Sequence, residues 1–176
     1  YELRTDMNAY LATLPGKDMP RSLADLIAFN KANAAEEMRW FDQGLFEMAI
    51  ERTDEQAYRA ARKNALHLAA DRGIDRLLEE NQVALLVVPT RGPAWTSDLV
   101  NGDNFDGSIG AGSLAAIAGY PHLTVPMGAV ERLPVGISFM GPKWSDHLVL
   151  KAGAAYESAR TATIPEPSLQ PWSLGD

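Results

Sequence analysis

Residues Ala118–Gly141 constrain the fold most strongly, because they contain two apolar runs separated by a short turn. The runs are His122–Met127 and Leu133–Met140, and residues Gly128–Arg132 lie between them. Both runs are rich in Val, Ile, Leu and Phe, which suit the packed surface of a sheet. Neither alternates cleanly between apolar and polar residues, and this pattern is typical of strands covered on both faces. The stretch therefore predicts two buried strands joined by a turn.

A third apolar run, Val83–Val88, lies upstream and stops at Pro89. Proline has no amide proton to give to a β-ladder, so Pro89 predicts the end of a strand. The sequence thus predicts three buried strands in an α/β protein whose helices cover the sheet. A sheet in a globular protein has about five or six strands on average. We therefore expect this chain to be part of something larger, which supplies the remaining strands.

Most of the other residues have a helical spacing of apolar side chains. The predicted helices are, in chain order, Glu2–Leu14, one that starts at Ser22, Phe41–Arg52, Asp54–Asn81, one from Ser108 or Ser113 to Gly119, and one from Ser145 or Asp146 to Ala159. Thr53 and Gln56 form a capping-box pattern before the long helix, and Gly73 inside that helix is expected to bend it. Residues 1–81 are thus mainly helical, residues 82–160 combine strands and helices, and residues 161–176 form an extended tail.

Composition and charge exclude several function classes. The net charge of −7 argues against a broad basic face for nucleic acid, because phosphate contacts need clustered Lys and Arg. The absence of cysteine excludes a disulfide framework, a thiolate nucleophile and a cysteine metal site. No apolar run approaches the ~18 residues of a membrane span, and no signal-peptide pattern is found. We expect no nucleic-acid partner and no membrane association, and a cytoplasmic location is favoured.

The three histidines, His67, His122 and His147, do not form a metal-ligand spacing. A structural or surface role is the preferred interpretation for each. Asp146 and His147 are neighbours on a predicted helix and so do not face each other. Because no G-x-S-x-G elbow occurs either, the sequence does not predict a serine hydrolase that uses histidine as its base.

Gly110, Gly112 and Ala115 match the pattern G-x-G-x-x-A of dinucleotide-binding sites. The match does not directly follow a convincing strand, as that fingerprint requires. We favour the other interpretation, in which small residues let the helix between Ser108 and Gly119 pack closely on the sheet.

The long connection Gly92–Gly107 leaves the end of a predicted strand, where α/β proteins tend to bind ligands. It combines Trp95 with many hydroxyl, amide and carboxylate side chains, which could line a pocket. The same Asn, Asp, Ser and Gly residues are also common in solvated turns. The two interpretations are about equally well supported by the residues themselves.

Four stretches carry a resemblance to a known family. Val88–Trp95 (VPTRGPAW), Ser113–Gly128 (SLAAIAGYPHLTVPMG) and Leu133–Asp146 (LPVGISFMGPKWSD) resemble the carboxy-terminal half of amidase-signature hydrolases. Ser22–Ala49 is similar to the branch that includes bacterial peptide amidases. The resemblance implies an α/β fold, with this chain forming part of a mixed β-sheet flanked by helices, and makes residues 1–176 the carboxy-terminal portion of a single amidase domain.

The resemblance also implies the chemistry of carboxamide hydrolysis. A serine nucleophile, a second serine on a cis peptide and a lysine base would form an acyl-enzyme, without metal or organic cofactor. The family's lysine and Gly/Ser-rich segment lie upstream of the region represented here, and no lysine of this chain has a matching context. We therefore assign no catalytic residue to this chain and expect it to be inactive alone. Four residues are candidates for the wall of the substrate pocket: Thr90, Trp95, Asn104 and Ser108.

The expected partners are a small-molecule or peptide amide and the amino-terminal half of the same enzyme. Two alternatives remain. The chain could be a non-catalytic module that completes the sheet of a separate amino-terminal chain. It could also belong to an amidotransferase of the same superfamily, as part of one of its subunits, although its acidic balance disfavours direct contact with RNA.

Overall fold

A computed structural model of the chain describes residues 1–105 and 110–166. Its backbone divides into two units, Tyr1–Lys63 and Asn64–Asp176. The first unit is helical, and the second contains the sheet. Within the described residues no helix has the length and apolar character needed to cross a membrane.

The first unit is built from short helices. They are α1 (Glu2–Thr13), α2 (Leu23–Ala32), α3 (Ala34–Glu37), α4 (Gly44–Ile50) and the first part of α5 (Glu55–Ala69). The predicted start at Ser22 is confirmed, because the Asp25 backbone N–H donates to the Ser22 hydroxyl over 3.1 Å. The pKa of Asp25 is lowered because the Arg21 backbone N–H and the Ser22 hydroxyl donate to its carboxylate.

The predicted helix Phe41–Arg52 is shorter in the structure, and the apolar face expected on Phe41, Leu45, Phe46 and Ala49 is buried only at Ala49 and half-buried at Phe46. Phe41 and Leu45 are 74% and 72% exposed. Ala49 is buried, and so is Gln43, which accepts from Asn30 Nδ2 over 3.1 Å and donates to the backbone carbonyl of Ile27 over 3.3 Å. These two hydrogen bonds pair the polar groups of Gln43 and so make its burial possible.

The start of α5 also differs from the prediction. The Ala57 backbone N–H donates to the Asp54 carboxylate over 2.9 Å, so Asp54 caps the helix. The predicted capping box of Thr53 and Gln56 is therefore wrong by one residue. Aspartate and threonine are both good caps, and sequence spacing alone does not choose between them.

The predicted long helix is interrupted by a π-helical segment. After α5, residues Ala70–Asp75 form wider turns, and α6 (Arg76–Asn81) follows. A Cβ atom on Gly73 would lie 2.8 Å from the backbone oxygen of Leu68. Glycine is thus required for this close approach, and the expected bend is realised as a local widening of the helix.

The sheet has three strands within the described residues, in the order β1 (Leu86–Pro89), β5 (Leu133–Met140) and β4 (His122–Val130). Both neighbouring pairs are antiparallel. Glu131 and Arg132 form the β4–β5 turn with φ angles of 47° and 69°. The turn is therefore narrower than predicted, because β4 continues to Val130. The predicted start of β1 at Val83 is also too early.

Each face of the sheet packs against different helices. The apolar face, Leu123, Val125, Ile137 and Phe139, packs against helix α8 (Asp146–Ala159) through Val149. The mixed face consists of His122, Thr124, Gly136, Ser138 and Met140, and its Met140 end packs against Ile74, Leu78 and Ala115. Ala115 belongs to helix α7 (Gly112–Ala118), which ends at Gly119 as predicted.

Burial of the strands is less complete than predicted. Ser138, Phe139 and Met140 are buried, whereas Val87 of β1 is 55% exposed and Val130 of β4 is 50% exposed. The physical reason is that β1 and β4 are the outer strands of the sheet within the described residues. An outer strand has no neighbour on one side, so its side chains keep contact with water.

The connection between β1 and α7 is partly ordered by short strands. β2 (Ser97–Asp98) and β3 (Gly102–Asp103) pair antiparallel within it. Gly110 bridges to Arg91, and the Ala111 backbone N–H donates to the carbonyl of Thr90 over 2.9 Å. Ala115 packs in the core as the preferred interpretation expects. The two glycines do not, because a Cβ atom at Gly110 would meet nothing within 4 Å and one at Gly112 only His122 Cε1 at 3.9 Å.

Candidate functional site

Four polar side chains converge on the mixed face where β1 ends. The strand register pairs Thr124 of β4 and Val88 of β1 with Ser138 of β5. The Thr90 backbone N–H donates to the carbonyl of Gly136 over 2.8 Å, so Thr90 continues the β1 register by one residue. Since alternate residues share a face, Thr90, His122, Thr124 and Ser138 lie on the same side of the sheet. We call these four side chains the hydroxyl cluster.

Ser138 is the centre of the hydroxyl cluster and is fully buried. Its Oγ lies 2.7 Å from His122 Nε2, 2.8 Å from Thr90 Oγ1 and 3.2 Å from Thr124 Oγ1. Thr90 also donates to Thr124 over 3.3 Å. A hydroxyl can donate one hydrogen bond and accept two. The three partners therefore use the full capacity of the buried Ser138 oxygen.

Gly136 makes room for the hydroxyl cluster. A Cβ atom built on Gly136 would lie 2.7 Å from Thr124 Cγ2 and 2.9 Å from Thr90 Oγ1. These distances are shorter than a real Cβ contact, so only glycine lets the two threonines meet above β5.

The close contact of Ser138 with His122 invites comparison with a serine nucleophile and its base. Ser138 has no exposed surface, so a substrate carbonyl cannot reach its oxygen. A base in such a pair is also normally oriented by a third group, and the described residues give His122 no carboxylate partner. The geometry therefore indicates a buried hydrogen-bond network and not a nucleophile.

Arg91, Trp95 and Phe105, which follow Thr90 in the sequence, form what we call the aromatic group. The Arg91 guanidinium lies 4.9 Å from the Trp95 ring centroid and 5.0 Å from the Phe105 ring centroid. The two rings are 5.1 Å apart, and the Trp95 indole N–H donates to the Asp103 carboxylate. Contacts of a guanidinium with aromatic faces are attractive, so these residues form an ordered, partly exposed surface.

The tip of the same connection is a solvated turn. The Asp98 carboxylate accepts from the backbone N–H groups of Val100 and Asn101 over 2.9 and 2.8 Å, and from the Asn101 side chain over 2.8 Å. These donors, that of Asn101 first, lower the pKa of Asp98. The tip of the loop is therefore a solvated turn, and the aromatic group lies nearer the sheet.

The four predicted pocket residues have different surroundings. Thr90 belongs to the hydroxyl cluster, and Trp95 belongs to the aromatic group. Asn104 is exposed and takes part in neither. Ser108 lies outside the described residues.

Sequence reasoning missed the convergence of His122, Thr124 and Ser138. One signal was available, since Ser138 is a polar residue inside an otherwise apolar run and a buried hydroxyl needs partners. His122 and Thr124 are spaced by two residues and so share a face of one strand.

Other polar groups do not form a comparable site. Among residues 1–105 and 110–166, no group of three His, Asp or Glu side chains could hold a metal ion. His67 contacts the Asp71 carboxylate over 2.9 Å on the exposed surface of the helix. A cavity of about 620 Å³ in the first unit is lined by apolar side chains, Trp40 and Phe41 among them, and by the carboxylates of Glu37 and Asp42.

Comparisons with known proteins agree with the fold. The family model described as Amidase matches residues 2–150. A probable amidase from Arabidopsis thaliana is 34% identical over 169 residues, which cover 93% of this chain and 29% of that protein. The X-ray structure of native peptide amidase from Stenotrophomonas maltophilia is 39% identical, with a TM-score of 0.82, over 94% of this chain and 33% of that chain. One of the glutamyl-tRNA(Gln) amidotransferase subunits from Streptococcus suis is 45% identical over 42 residues, 24% of this chain and 9% of that protein.

The helices, the sheet and these matches place the chain in a class of α/β proteins that includes peptide amidase. The chain belongs to the amidase-signature family, and the resemblance noted in its sequence is confirmed. It spans about a third of the length of these amidases, 29% of the Arabidopsis protein and 33% of the peptide amidase chain.

Proposed function

We propose that this chain is the carboxy-terminal part of an amide hydrolase whose catalytic residues lie upstream. The observation that carries the proposal is the match of nearly the whole chain to about a third of known amidases. Within the described residues no lysine amine is hydrogen-bonded to a serine hydroxyl, so no Ser–Lys pair is assembled here. The chain then contributes sheet strands and one wall of the substrate pocket.

The upstream polypeptide would supply the reactive groups. A lysine would take the proton of the nucleophilic serine through the second serine on its cis peptide, and the serine oxygen would attack the amide carbon. Collapse of the tetrahedral intermediate expels the amine and leaves an acyl-enzyme, which water hydrolyses. Backbone N–H groups would stabilise the negative oxygen of each tetrahedral intermediate.

The pocket wall would be built from Thr90, Trp95, Asn104 and Ser108. Thr90 offers a hydroxyl beside the end of β1, and Trp95 offers an apolar ring whose position is fixed by Arg91 and Asp103. An apolar surface with a few oriented polar groups is typical of a small-molecule site. The similarity to a peptide amidase favours a peptide amide as substrate.

The 42-residue match to the Streptococcus suis amidotransferase protein supports a second candidate function, as part of an amidotransferase subunit. The net charge of −7 makes direct RNA binding by this chain unfavourable. A third possibility is a non-catalytic module that completes a separate amino-terminal chain. Intact mass and co-purifying subunits or RNA distinguish the three.

Ammonia release from peptide amides tests the leading proposal. The purified chain is expected to show no turnover, whereas the polypeptide extended by its upstream coding region is expected to hydrolyse the amide. Steady turnover by the chain alone, abolished by a point substitution within it, would overturn the proposal.

The pocket wall is tested in the extended enzyme by Trp95→Ala. We expect a raised KM or a lowered kcat with little change in stability, because Trp95 is partly exposed and its ring would contact substrate. Trp144→Ala is the matched control, since Trp144 is 84% exposed in the turn before α8. Equal kinetics of the wild type and Trp95→Ala over a panel of amides would remove Trp95 from the pocket.

A further inference from the structure

The hydroxyl cluster contains four hydrogen-bond contacts, and each contact needs one proton. Three contacts join Ser138 to His122, Thr90 and Thr124, and the fourth joins Thr90 to Thr124. The three hydroxyls supply three protons. The fourth proton must come from His122, so all four contacts are made only when His122 Nε2 carries a hydrogen.

The direction of each hydrogen bond follows from this count together with the Thr90 hydroxyl as donor to Thr124. His122 donates to Ser138, Ser138 donates to Thr90, Thr90 donates to Thr124, and Thr124 donates to Ser138. Every hydroxyl then donates once, and the buried Ser138 oxygen accepts twice, which is its full capacity. Because Ser138 is buried, leaving one of its hydrogen bonds unmade would be costly, and this favours the arrangement in which all four contacts are made.

The other tautomer of His122 would have a different consequence. With hydrogen on Nδ1, the Nε2 lone pair would accept from Ser138, and both threonines would then donate to Ser138. Thr90 would have no proton left for another partner and could act only as an acceptor. The state of His122 therefore decides whether the Thr90 hydroxyl can be a donor.

Thr90 is the member of the cluster best suited to meet a ligand as a donor. Thr90 is half-buried and Thr124 is exposed, but Thr124 donates to the buried Ser138, whereas Thr90 donates only to Thr124, over 3.3 Å, the longest of the four bonds. Replacing that bond by one to a ligand would leave the other three contacts of the cluster intact.

We propose that Thr90 donates a hydrogen bond to a carbonyl oxygen of the amide substrate, and that His122 and Ser138 are the positioning residues that hold its hydroxyl in this direction. The inference rests on the proposed function, in which this surface lines the substrate pocket. The ligand group must be an acceptor, because the bond that it replaces is the one in which Thr90 donates to Thr124. A carbonyl oxygen is the acceptor that every amide substrate carries.

The first test measures the tautomer of His122 in the chain by nitrogen-15 NMR of labelled histidine. We expect a protonated Nε2, and we expect Ser138→Ala to shift the His122 nitrogen signals while those of His67 stay unchanged. His67 is a suitable internal reference, because it lies on the exposed surface of a helix. A hydrogen on Nδ1 alone in the wild-type chain would overturn the proposed direction.

The second test uses the complete enzyme and compares Thr90→Val with Thr90→Ser. Valine keeps the shape of threonine without a hydroxyl, so kcat/KM should fall about tenfold, the equivalent of one hydrogen bond. Serine keeps the donor and should restore kcat/KM to within about threefold of wild type. A purely structural role for Thr90 would change stability without this difference in kinetics.

The positioning role is tested by His122→Gln and His122→Ala in the same enzyme. The Gln amide nitrogen can still donate to Ser138, so His122→Gln should retain more kcat/KM than His122→Ala. If the enzyme hydrolyses amides and Thr90→Val behaves as wild type, the inference is overturned and the proposed function stands. If the complete enzyme hydrolyses no amide, both are overturned.

Discussion

On the apolar face of the sheet, Val125 and Phe139 meet Val149 of α8 in a cluster of hydrocarbon side chains. On the mixed face, two residues of the same strand have different surroundings, since Met140 packs against helices and Ser138 is held by three hydrogen bonds. Apolar contacts tolerate small shifts, whereas hydrogen bonds depend on direction and proton count. The comparison indicates that the apolar face mainly provides stability, and that the mixed face orients particular atoms.

The largest loss of stability is expected for Phe139→Ala on the apolar face. Phe139 is buried, and its ring lies 5.8 Å from the Tyr156 ring. Deleting a buried phenylalanine side chain lowers the free energy of unfolding by about 3–5 kcal/mol. Urea unfolding of the chain measures this loss, with Leu133→Ala as an exposed control in the same strand. Equal losses for the two variants would contradict the assignment of the core to this face.

A smaller loss is expected for Gly153→Ala in α8. A Cβ atom on Gly153 would overlap Leu123 and approach Val125 Cγ1 to 3.3 Å, so α8 would have to move away from the sheet. Such overpacking lowers the free energy of unfolding by about 1–3 kcal/mol.

Gly112→Ala in α7 is the matched control for Gly153→Ala. The nearest atom to a Cβ at Gly112 is His122 Cε1, at 3.9 Å, an ordinary contact. Alanine is also a better helix former than glycine by about 1 kcal/mol, so the control should gain stability in a urea titration. A gain at both positions would refute close packing of α8 on the apolar face.

Gly136→Ala makes the corresponding change on the mixed face. We expect the free energy of unfolding to fall by about 1–2 kcal/mol, because the new methyl group would push Thr90 and Thr124 apart. The loss is smaller than for Gly153→Ala, because these two threonines are less buried than Leu123 and Val125. The more telling readout is the nitrogen-15 NMR spectrum of His122, which should change as the hydroxyl cluster opens. Gly128→Ala serves as control, since its nearest neighbour, Ala162 Cβ, lies at 3.7 Å. An unchanged His122 spectrum in Gly136→Ala would be evidence against the cluster.

Local sequence patterns predicted some of the strands and helices that form the two faces. The bounds of β5, the first residue of β4 and the end of α7 at Gly119 depend on residue type and on turn chemistry, both of which are local. The π-helical segment was not predicted, because it places Ile74 against Ala115 and Met140, which are distant in sequence. Spacing on one helix contains no information about such partners.

The candidate site was predicted only in part. Thr90 and Trp95 were chosen because Val88–Trp95 resembles the amidase-signature family, and their place in a substrate pocket stays a proposal. The partners of Thr90 were not found, since Thr124 lies 34 residues away and Ser138 lies 48 residues away. Only the antiparallel register of β1, β5 and β4 brings these three residues together.

The smallest expected effect concerns Tyr120, which packs on the helix-covered end of the mixed face. Its hydroxyl donates to the Asp75 carboxylate over 2.7 Å. Burial, together with this hydrogen bond and the negative charge of Asp75, raises the pKa of Tyr120 to about 12. Tyr120→Phe removes the hydrogen bond and should lower the free energy of unfolding by about 0.5–1.5 kcal/mol near pH 8.

The loss of stability in Tyr120→Phe should depend on pH, unlike the losses expected on the apolar face. Because the folded-state pKa of Tyr120 is higher than the unfolded value of ~10, the neutral phenol stabilises the fold fully below pH ~10. The contribution is lost as the pH rises through about 12. The difference in urea midpoint between wild type and Tyr120→Phe should therefore shrink between pH 8 and pH 12. Tyr10→Phe, at an exposed position of α1, should match wild type at both pH values. If the difference in urea midpoint between wild type and Tyr120→Phe did not change with pH, the Tyr120 hydroxyl would contribute through packing alone, as the side chains of the apolar face do.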